Sequence, residues 1–392
     1  MSESGLSKYR TYRGLTKALL TAGGLWPYHN SSIFYRVWPY LQIIVSSGMV
    51  LAILGFVREH FSNVDLVTRA LSVMTSHLTT IVKLMCLAIN REDLVELHKH
   101  LDPYVENLLK TFKSTDVILK DVNSFRFLTW GLTFFAFIAT CVLIFMPLLA
   151  ILHCHQQGIE LTNYPLIYPS VYPWKIISNG WVYKANYIFE LTATLILFSV
   201  TASVDSLFNL YVFQMVGQLR EISYCITHLD SFDKNNSVVK CIVQYEKLMK
   251  CAVLLEKIYG YIVLWIMATN AVVLCSLLFQ MSQMKSISIT RELLFITYIA
   301  MKIIQTFIYT WGGSYLTDEV IWKIFLNQNY KDAVYASNWF GNKNLTTTVK
   351  MTLCQKSLIL TACNFFIVSV KLFVMVMNTT LSFFFLLQAM DS

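Results

Sequence analysis

Charged side chains are scarce in this sequence, and their scarcity indicates the class of protein. Asp, Glu, Lys and Arg make up 14% of the 392 residues, whereas 56% of the residues are hydrophobic. Soluble domains carry about 25% charged residues, because water must be met by a polar surface. The composition therefore excludes an ordinary soluble domain and predicts a polytopic membrane protein.

Catalytic motifs and a cysteine framework are also absent. The sequence has no GxSxG, P-loop, HExxH or CxxC pattern, so we expect no enzyme, no cofactor and no metal site. Of nine cysteines, only Cys154 falls in a predicted outer loop, which leaves no disulfide between outer loops. The net charge of +8 is dispersed among apolar spans, and this pattern does not predict nucleic-acid binding.

Long apolar runs are what the sequence has in place of these features. A helix needs about 20 apolar residues to cross the hydrocarbon core, and seven runs qualify. We therefore predict an all-α polytopic membrane protein with seven transmembrane helices. The predicted spans are 34–57, 65–89, 125–152, 186–213, 255–282, 292–314 and 358–388.

Basic residues predict the orientation of the spans. Alternate connecting segments hold 22 Lys and Arg residues on one side and six on the other. Basic residues stay on the cytoplasmic side, so we expect a cytoplasmic N-terminus and an extracellular C-terminus. We divide the chain into a cytoplasmic segment 1–33, spans one to six in 34–314, a cytoplasmic helix and loop in 315–357, and a seventh helix with a short extracellular end in 358–392.

Helical periodicity continues beyond the spans on the predicted cytoplasmic side. Apolar residues recur at helical spacing in 217–257, so we expect spans four and five to continue there as helices that project beneath the membrane and pack together. Thr317, followed by Asp318 and Glu319, is typical of the start of a further helix.

Several ionisable groups lie inside the predicted spans, where each needs a partner or water. Lys83 is near the inner end of span two and is expected to extend its ammonium group to the interface. Glu190, in the outer half of span four, either stays protonated, pairs within the bundle or lines a wet cavity. Lys302 lies in the middle of span six, one turn after Tyr298.

The last span carries a polar seam, which we define as Lys371, Asn378, Ser382, Phe385 and Ala389. At 100° per residue these positions fall within about 40° of one direction. Two interpretations remain open. The seam lines an aqueous path that narrows at apolar residues near the outer end, or it packs inside the subunit with Asn and Ser bonded across helices.

Blocks in the C-terminal third are specific enough to suggest a family. The stretches YTWGGSYLTDEVIWKIF, AVYASNWF, LCQKSLILTA and TTLSFFFLLQAM, together with VKLMCLAIN and SVDSLF further upstream, resemble the insect odorant receptors. The family usually ends in a Tyr-Ser-Tyr-Phe-like run followed by Leu and Arg. Here Leu381 to Phe384 occupy that run and Gln388 replaces the basic residue. Gln388 at this position also resembles the corresponding residue of the related gustatory receptors.

The resemblance implies a function. A member of this family is the odorant-specific subunit of a ligand-gated, non-selective cation channel. It assembles with co-receptor subunits into a heterotetramer in the plasma membrane of olfactory sensory neurons, surrounded by membrane lipid. A small volatile organic ligand opens a central pore that conducts cations and is lined by the last helix of each subunit. The resemblance places the gate at Leu386, flanked by Phe385 and Gln388, above Lys371, Asn378 and Ser382. It also implies that the cytoplasmic helices, including the helix and loop in 315–357, form a cytoplasmic helical anchor region.

The resemblance also implies an odorant pocket in the outer half of the bundle, between spans two, three, four and six. His77 and Glu190 are the residues expected to select ligands through a hydrogen bond. Matching positions in this chain are Met74, His77 and Leu78 on span two, Phe137 and Cys141 on span three, Glu190 and Thr194 on span four, and Phe295 and Tyr298 on span six.

Two other functions are weighed against this one. A gustatory receptor channel would have the same architecture. A G-protein-coupled receptor would have its N-terminus outside, DRY-like and NPxxY-like motifs and a disulfide to span three, and the sequence has none of these features.

Overall fold

The structure is a helical bundle with one short hairpin. A computed structural model describes residues 2–28, 31–111, 115–157, 164–174, 176, 180–227, 234–283, 289–320 and 359–391. The helices are α1 Ser2–Ala22, α2 Ile33–Glu59, α3 Val64–Ile89, α4 Arg91–Thr111, α5 Thr115–Ile118, α6 Val122–Gln156, α7 Trp181–Thr227, α8 Lys234–Gln283, α9 Ile289–Val320 and α10 Val370–Asp391, and the strands are β1 Thr361–Ala362 and β2 Phe366–Ile367.

Seven of these helices, α2, α3 and α6 to α10, are long and apolar enough to cross a membrane. The prediction of an all-α protein with seven transmembrane helices is therefore confirmed. Polar caps set the starts of the first two spans. The Ser32 hydroxyl accepts a hydrogen bond from the Tyr35 amide (3.4 Å), and the Asn63 side chain accepts one from the Leu66 amide (3.3 Å).

Two of the spans are much longer than a bilayer requires. Helix α7 has 47 residues and α8 has 50 residues. At 1.5 Å per residue each is about 70 Å long, more than twice the thickness of the hydrocarbon core. The helical continuation predicted for 217–257 is present on both helices, and its turn-rich centre at 228–233 lies outside the described residues.

Helices α1 and α4 pack against α7 at the end of the bundle where α3 gives way to α4. The Arg13 Nε donates to Asp102 (2.7 Å), and its guanidinium also pairs with Glu106 (2.9 Å). Gln214 on α7 donates to both Asp102 (2.9 Å) and the Tyr9 hydroxyl (3.0 Å). Because Arg13 keeps the Asp102 carboxylate charged despite burial, the pKa of Asp102 is lowered.

The seventh span begins later than the predicted residue 358. Residues 359–369 instead contain the hairpin of β1 and β2, in which the Val368 amide donates to the Leu360 carbonyl (2.9 Å). The turn is closed by Cys363 and Asn364 in the left-handed conformation, with φ of 53° and 61°. The apolar run is continuous in sequence, but it contains a hairpin followed by a helix.

Helix α9 also differs from the prediction, because it continues without a break to Val320. Thr317 is therefore not a helix start: its hydroxyl donates to the Gly313 carbonyl one turn earlier (2.9 Å). The rest of the predicted helix and loop in 315–357 lies outside the described residues from 321 onward.

Two adjacent glycines fix how α9 meets its neighbours. A Cβ atom on Gly313 would overlap the carbonyl oxygen of Val368, just before α10. A Cβ atom on Gly312 would lie 3.2 Å from the Phe208 ring on α7. Ser314 accepts a hydrogen bond from the Val370 amide (2.9 Å). The start of α10 is thus attached directly to α9.

A charge cluster, which we define as Lys83, Asp205, Lys302, Gln305 and Tyr309, lies inside the bundle. The Lys83 ammonium is 2.6 Å from Asp205 Oδ1, and both side chains are fully buried. Tyr309 donates to the same oxygen (2.6 Å) and Gln305 donates to Oδ2 (2.7 Å). Lys302 is 3% exposed. Lys83 therefore does not reach the interface as expected but binds α3 to Asp205 on α7, which is also bonded to α9.

Breaking the buried ion pair should be more harmful than replacing it. Asp205→Asn leaves Lys83 without a counter-charge and should cost roughly 3–5 kcal/mol, whereas the apolar double variant Lys83→Met/Asp205→Leu should recover much of that loss. The measurements are cell-surface expression and the thermal midpoint of the purified protein. Asp116→Asn, on the exposed face of α5, is the control. Wild-type stability of Asp205→Asn would contradict the assignment.

Gly313→Ala should displace the hairpin from α9. The added methyl group meets backbone, which cannot rotate away, so we expect a loss of about 1–3 kcal/mol. Thermal unfolding of the detergent-solubilised protein measures the loss. Gly14→Ala is the control: nothing lies within 4 Å of its added Cβ, and alanine favours helix by about 0.5–1 kcal/mol. Equal melting of the two variants would remove Gly313 from this role.

Candidate ligand-binding site

The end of the bundle opposite α4 is covered by a segment that we call the roof segment, residues 164–174. Glu190 on α7 holds it in place. One carboxylate oxygen accepts from the amides of Ile167 (2.8 Å) and Tyr168 (3.1 Å), and the other accepts from the hydroxyls of Ser170 (2.6 Å) and Tyr172 (2.9 Å). Four donors satisfy the buried carboxylate. Glu190 therefore anchors the roof segment.

The roof segment is also bound to α2. The Val171 amide donates to the Ala52 carbonyl (3.0 Å), and Gly55 lets the Val171 carbonyl approach the same helix. Apolar residues of α2, α3, α7 and the roof segment pack together beneath it, and Met74 lies at the edge of this group. Its buried members are Met49, Ile53, Val57, Ala70, Ile167, Tyr168 and Ala193.

Two polar side chains in this apolar region have no hydrogen-bond partner among the described residues. His77 on α3 is fully buried and neither ring nitrogen is bonded, and the Tyr168 hydroxyl is likewise unbonded. Their rings meet edge to face, with centroids 5.2 Å apart. Burial raises the pKa of Tyr168, so this phenol remains a hydrogen-bond donor. Unbonded buried polar groups are rare in folded proteins, and these two lie side by side.

Thr194 completes this group from α7. It lies beside the Tyr168 hydroxyl, but its own hydroxyl donates to the Glu190 carbonyl one turn earlier (2.7 Å). The methyl group and the occupied hydroxyl leave a mostly apolar wall around His77 and Tyr168. Ligand sites in proteins are typically lined by apolar side chains, with a few polar groups that orient the ligand.

Tyr298 brings α9 to the same helix. Its hydroxyl is hydrogen-bonded to the Ser76 hydroxyl and donates to the Ser72 carbonyl (3.3 Å), both on α3. The Lys302 ammonium lies over the Tyr298 ring, 5.5 Å from its centroid, a distance at which cations are attracted by aromatic faces. Tyr298 therefore joins α3 to the charge cluster.

The structure brings some of the predicted ligand residues together and leaves others apart. His77, Glu190, Thr194 and Met74 surround Tyr168, and Tyr298 contacts the turn of α3 that precedes His77. Phe137 lies outside this group, because 55% of its side chain is exposed on the outer face of α6, where it meets Phe198. The remaining predicted residues are half-buried on their expected helices, namely Leu78, Cys141 and Phe295.

The sequence did not single out Tyr168, Ser72 or Ser76. Tyr168 belongs to the stretch NYPLIYPSVYPW, whose prolines and tyrosines are typical of a loop. A buried carboxylate in the span that follows such a loop was the available signal, because Glu190 needs donors and the loop backbone supplies two of them. The serines have no distinguishing sequence pattern.

Helix α10 presents the polar seam to the outside of the protomer. Lys371, Asn378, Ser382, Phe385 and Ala389 are all exposed, as are Gln388 and Leu386, the latter to 55%. The helix packs against α8 and α9 through a narrow stripe of Leu372, Val376 and Thr380. Within the described part of the chain, the seam therefore does not pack against the rest of the subunit.

Comparison with known proteins relates this chain to odorant receptors. The profile of the family described as "7tm Odorant receptor" matches residues 63–381. Odorant receptor 13a of Drosophila melanogaster is 23% identical over 94% of this chain and 93% of its own length, and Odorant receptor 82a of the same fly is 21% identical over 86% and 88%.

The fold is similar to that of a solved structure, the insect olfactory receptor OR5 from Machilis hrabei in complex with eugenol. The TM-score is 0.76 at 16% identity, with 97% of this chain and 99% of that chain covered. A second structure of that olfactory receptor OR5 from Machilis hrabei gives a TM-score of 0.73 at 15% identity. With a family profile that spans most of its length, the chain belongs to the insect odorant receptors, which are multi-pass receptors of the cell membrane and not enzymes.

Proposed function

We propose that this chain is the odorant-specific subunit of a ligand-gated, non-selective cation channel. It assembles with co-receptor subunits into a heterotetramer, with its N-terminus in the cytoplasm and its C-terminus outside. The observation that carries the proposal is the polar seam of α10, which lies on the protomer surface opposite the stripe that packs on α8 and α9. A subunit whose last helix lines a shared pore needs this arrangement.

Apolar side chains in the last turns of the seam form the gate. Leu386 and Phe385 follow Asn378 and Ser382 along the helix, so a path that is polar below becomes hydrophobic near its outer end. Hydrophobic constrictions close by excluding water. Lys371 lies at the opposite end of α10 and Gln388 lies just beyond the gate.

The ligand is a small volatile that occupies the region beneath the roof segment. The eugenol-bound receptor has the same fold, and eugenol is a compact aromatic that carries oxygen atoms. Among the described residues, the His77 ring nitrogens and the Tyr168 hydroxyl are buried without a hydrogen bond and lie side by side, so we assign them to the ligand's oxygen. Glu190, whose oxygens are occupied, holds the roof segment and does not contact the ligand.

Current recorded from cells that express this chain together with the co-receptor tests the channel function. Application of a volatile panel should evoke a cation current that needs no G-protein. Volatile-evoked second-messenger signalling without such a current would contradict the proposal. Epitope tags at the two termini, read in intact cells, test the orientation independently.

His77→Phe should reduce responses to oxygenated volatiles. The substitution keeps an aromatic ring against Tyr168 but removes both ring nitrogens, and a lost hydrogen bond is worth about 0.5–1.5 kcal/mol. Half-maximal concentrations for alcohols or carbonyl compounds should rise about three- to tenfold relative to hydrocarbons of similar shape. Thr75→Ala is the control, because its hydroxyl is exposed and bonded within α3. An unchanged ratio would exclude His77 from ligand recognition.

Leu386→Asn should raise the leak current in the absence of odorant. An amide in the constriction holds water, which removes the dewetted barrier, while the ligand region is untouched. Whole-cell recordings give the current before and after odorant. Leu381→Asn serves as the matched control, since Leu381 is also exposed but lies about 140° around the helix from Leu386. Equal leak in both variants would remove Leu386 from the gate.

A further inference from the structure

A pocket at the α4 end of the bundle brings two arginines together without a carboxylate partner. Arg36 Nε donates to the Ser31 hydroxyl (3.2 Å), and Arg91 Nη2 donates to the same oxygen (2.9 Å). A serine hydroxyl carries no charge, so it does not neutralise either guanidinium. Among the described residues neither arginine forms an ion pair, and Arg91 also lies over the Tyr35 ring, 5.7 Å from its centroid.

The rest of the pocket carries charges of both signs. Lys99 and His100 contribute their side chains from α4, as do Glu92 and Glu96, and all four are exposed. Glu96 is turned toward water, with 60% of its side chain exposed, and lies 3.8 Å from His100. Partial burial lowers the pKa of Arg91, and the nearby charge of Arg36 lowers it further. The lining residues are Tyr28, Arg36, Arg91, Glu92, Val95, Glu96, Lys99 and His100.

The surroundings of the pocket are those of a membrane boundary. Arg36 is in the first turn of α2, and Arg91 follows directly after α3, so both lie where a span meets water. Apolar side chains close to them in sequence are exposed on the protomer surface: Ile33 is 80% exposed, Phe34 is 89% exposed and Ile89 is 74% exposed. These apolar side chains offer no contact to a soluble anion, whereas the acyl chains of a lipid pack against them.

We propose that this pocket binds the headgroup of an anionic phospholipid that carries a phosphate monoester, with its acyl chains along Ile33, Phe34 and Ile89. Guanidinium groups bind phosphate through paired, charge-assisted hydrogen bonds, and a monoester brings close to two negative charges near neutral pH. The phosphate displaces or joins the Ser31 hydroxyl between Arg36 and Arg91. Basic groups at the cytoplasmic boundary attract such lipids. The lipid site is separate from the region beneath the roof segment.

The test measures lipid binding by the full-length purified chain in detergent. The probes are dioctanoyl phosphatidic acid, dioctanoyl phosphatidylcholine and inorganic phosphate, and the readouts are lipid adducts in native mass spectrometry and the shift in melting temperature. We expect saturable binding of phosphatidic acid only. Binding should weaken at least about tenfold in Arg36→Gln/Arg91→Gln and remain unchanged in Arg58→Gln, at the opposite end of α2.

Single variants keep the proposal testable if the double variant does not fold. Arg91→Lys retains the charge but loses the planar fork, and Arg36→Gln alone removes one contact, so each should bind phosphatidic acid with intermediate affinity. Equal binding of phosphatidic acid by wild type and these variants would overturn the site. Competition by millimolar inorganic phosphate would show a site for a soluble anion and would overturn the assignment to lipid.

Discussion

The buried contact between Lys83 and Asp205 is the constraint on which the arrangement of the spans depends. Neither charge can be left alone in a medium without water, and both side chains are fully buried. Asp205 meets this requirement with Lys83 from α3 and with Gln305 and Tyr309 from α9. Three helices are therefore held at one depth and in one rotational setting, and the same helices carry His77, Thr194 and Tyr298 toward the roof segment.

Helix α9 connects that region to the last helix. It carries Tyr298 beside α3, then Lys302 and the donors to Asp205, and finally Gly313 and Ser314 against the residues that begin α10. Gly313 contacts the backbone of Val368 directly. Because no flexible side chain lies between them, a displacement of α9 moves the start of α10. Within the proposed channel, a ligand that moves Tyr298 acts on one continuous helix whose far end holds the start of the pore helix.

Hydropathy was sufficient to predict the number and type of the spans, because lipid permits few alternatives to an apolar helix. Hydropathy was insufficient where a hairpin and a helix have the same apolar composition. The described part of the predicted span 358–388, residues 359–388, contains a hairpin that turns at the left-handed Cys363 and Asn364, and the helix begins only at Val370. Pairing was also hidden: Lys83 and Asp205 are 122 positions apart in sequence, and nothing local indicates that the ammonium turns inward. His77 and Glu190 could be selected from the sequence as intramembrane polar groups. The roof segment, which binds Glu190 and leaves His77 unbonded, could not be predicted.

The weak attachment of α10 has a physical consequence for assembly. Only 17% of the residues in its apolar stretch are buried, against 56% for α8. Asn378 and Ser382 face outward on the protomer, and an amide placed in hydrocarbon without a partner costs roughly 2–7 kcal/mol. A single protomer in a bilayer would leave that cost unmet. In the proposed channel, several subunits arranged with their seams inward around a shared aqueous path would cover the seam with water and with neighbouring subunits.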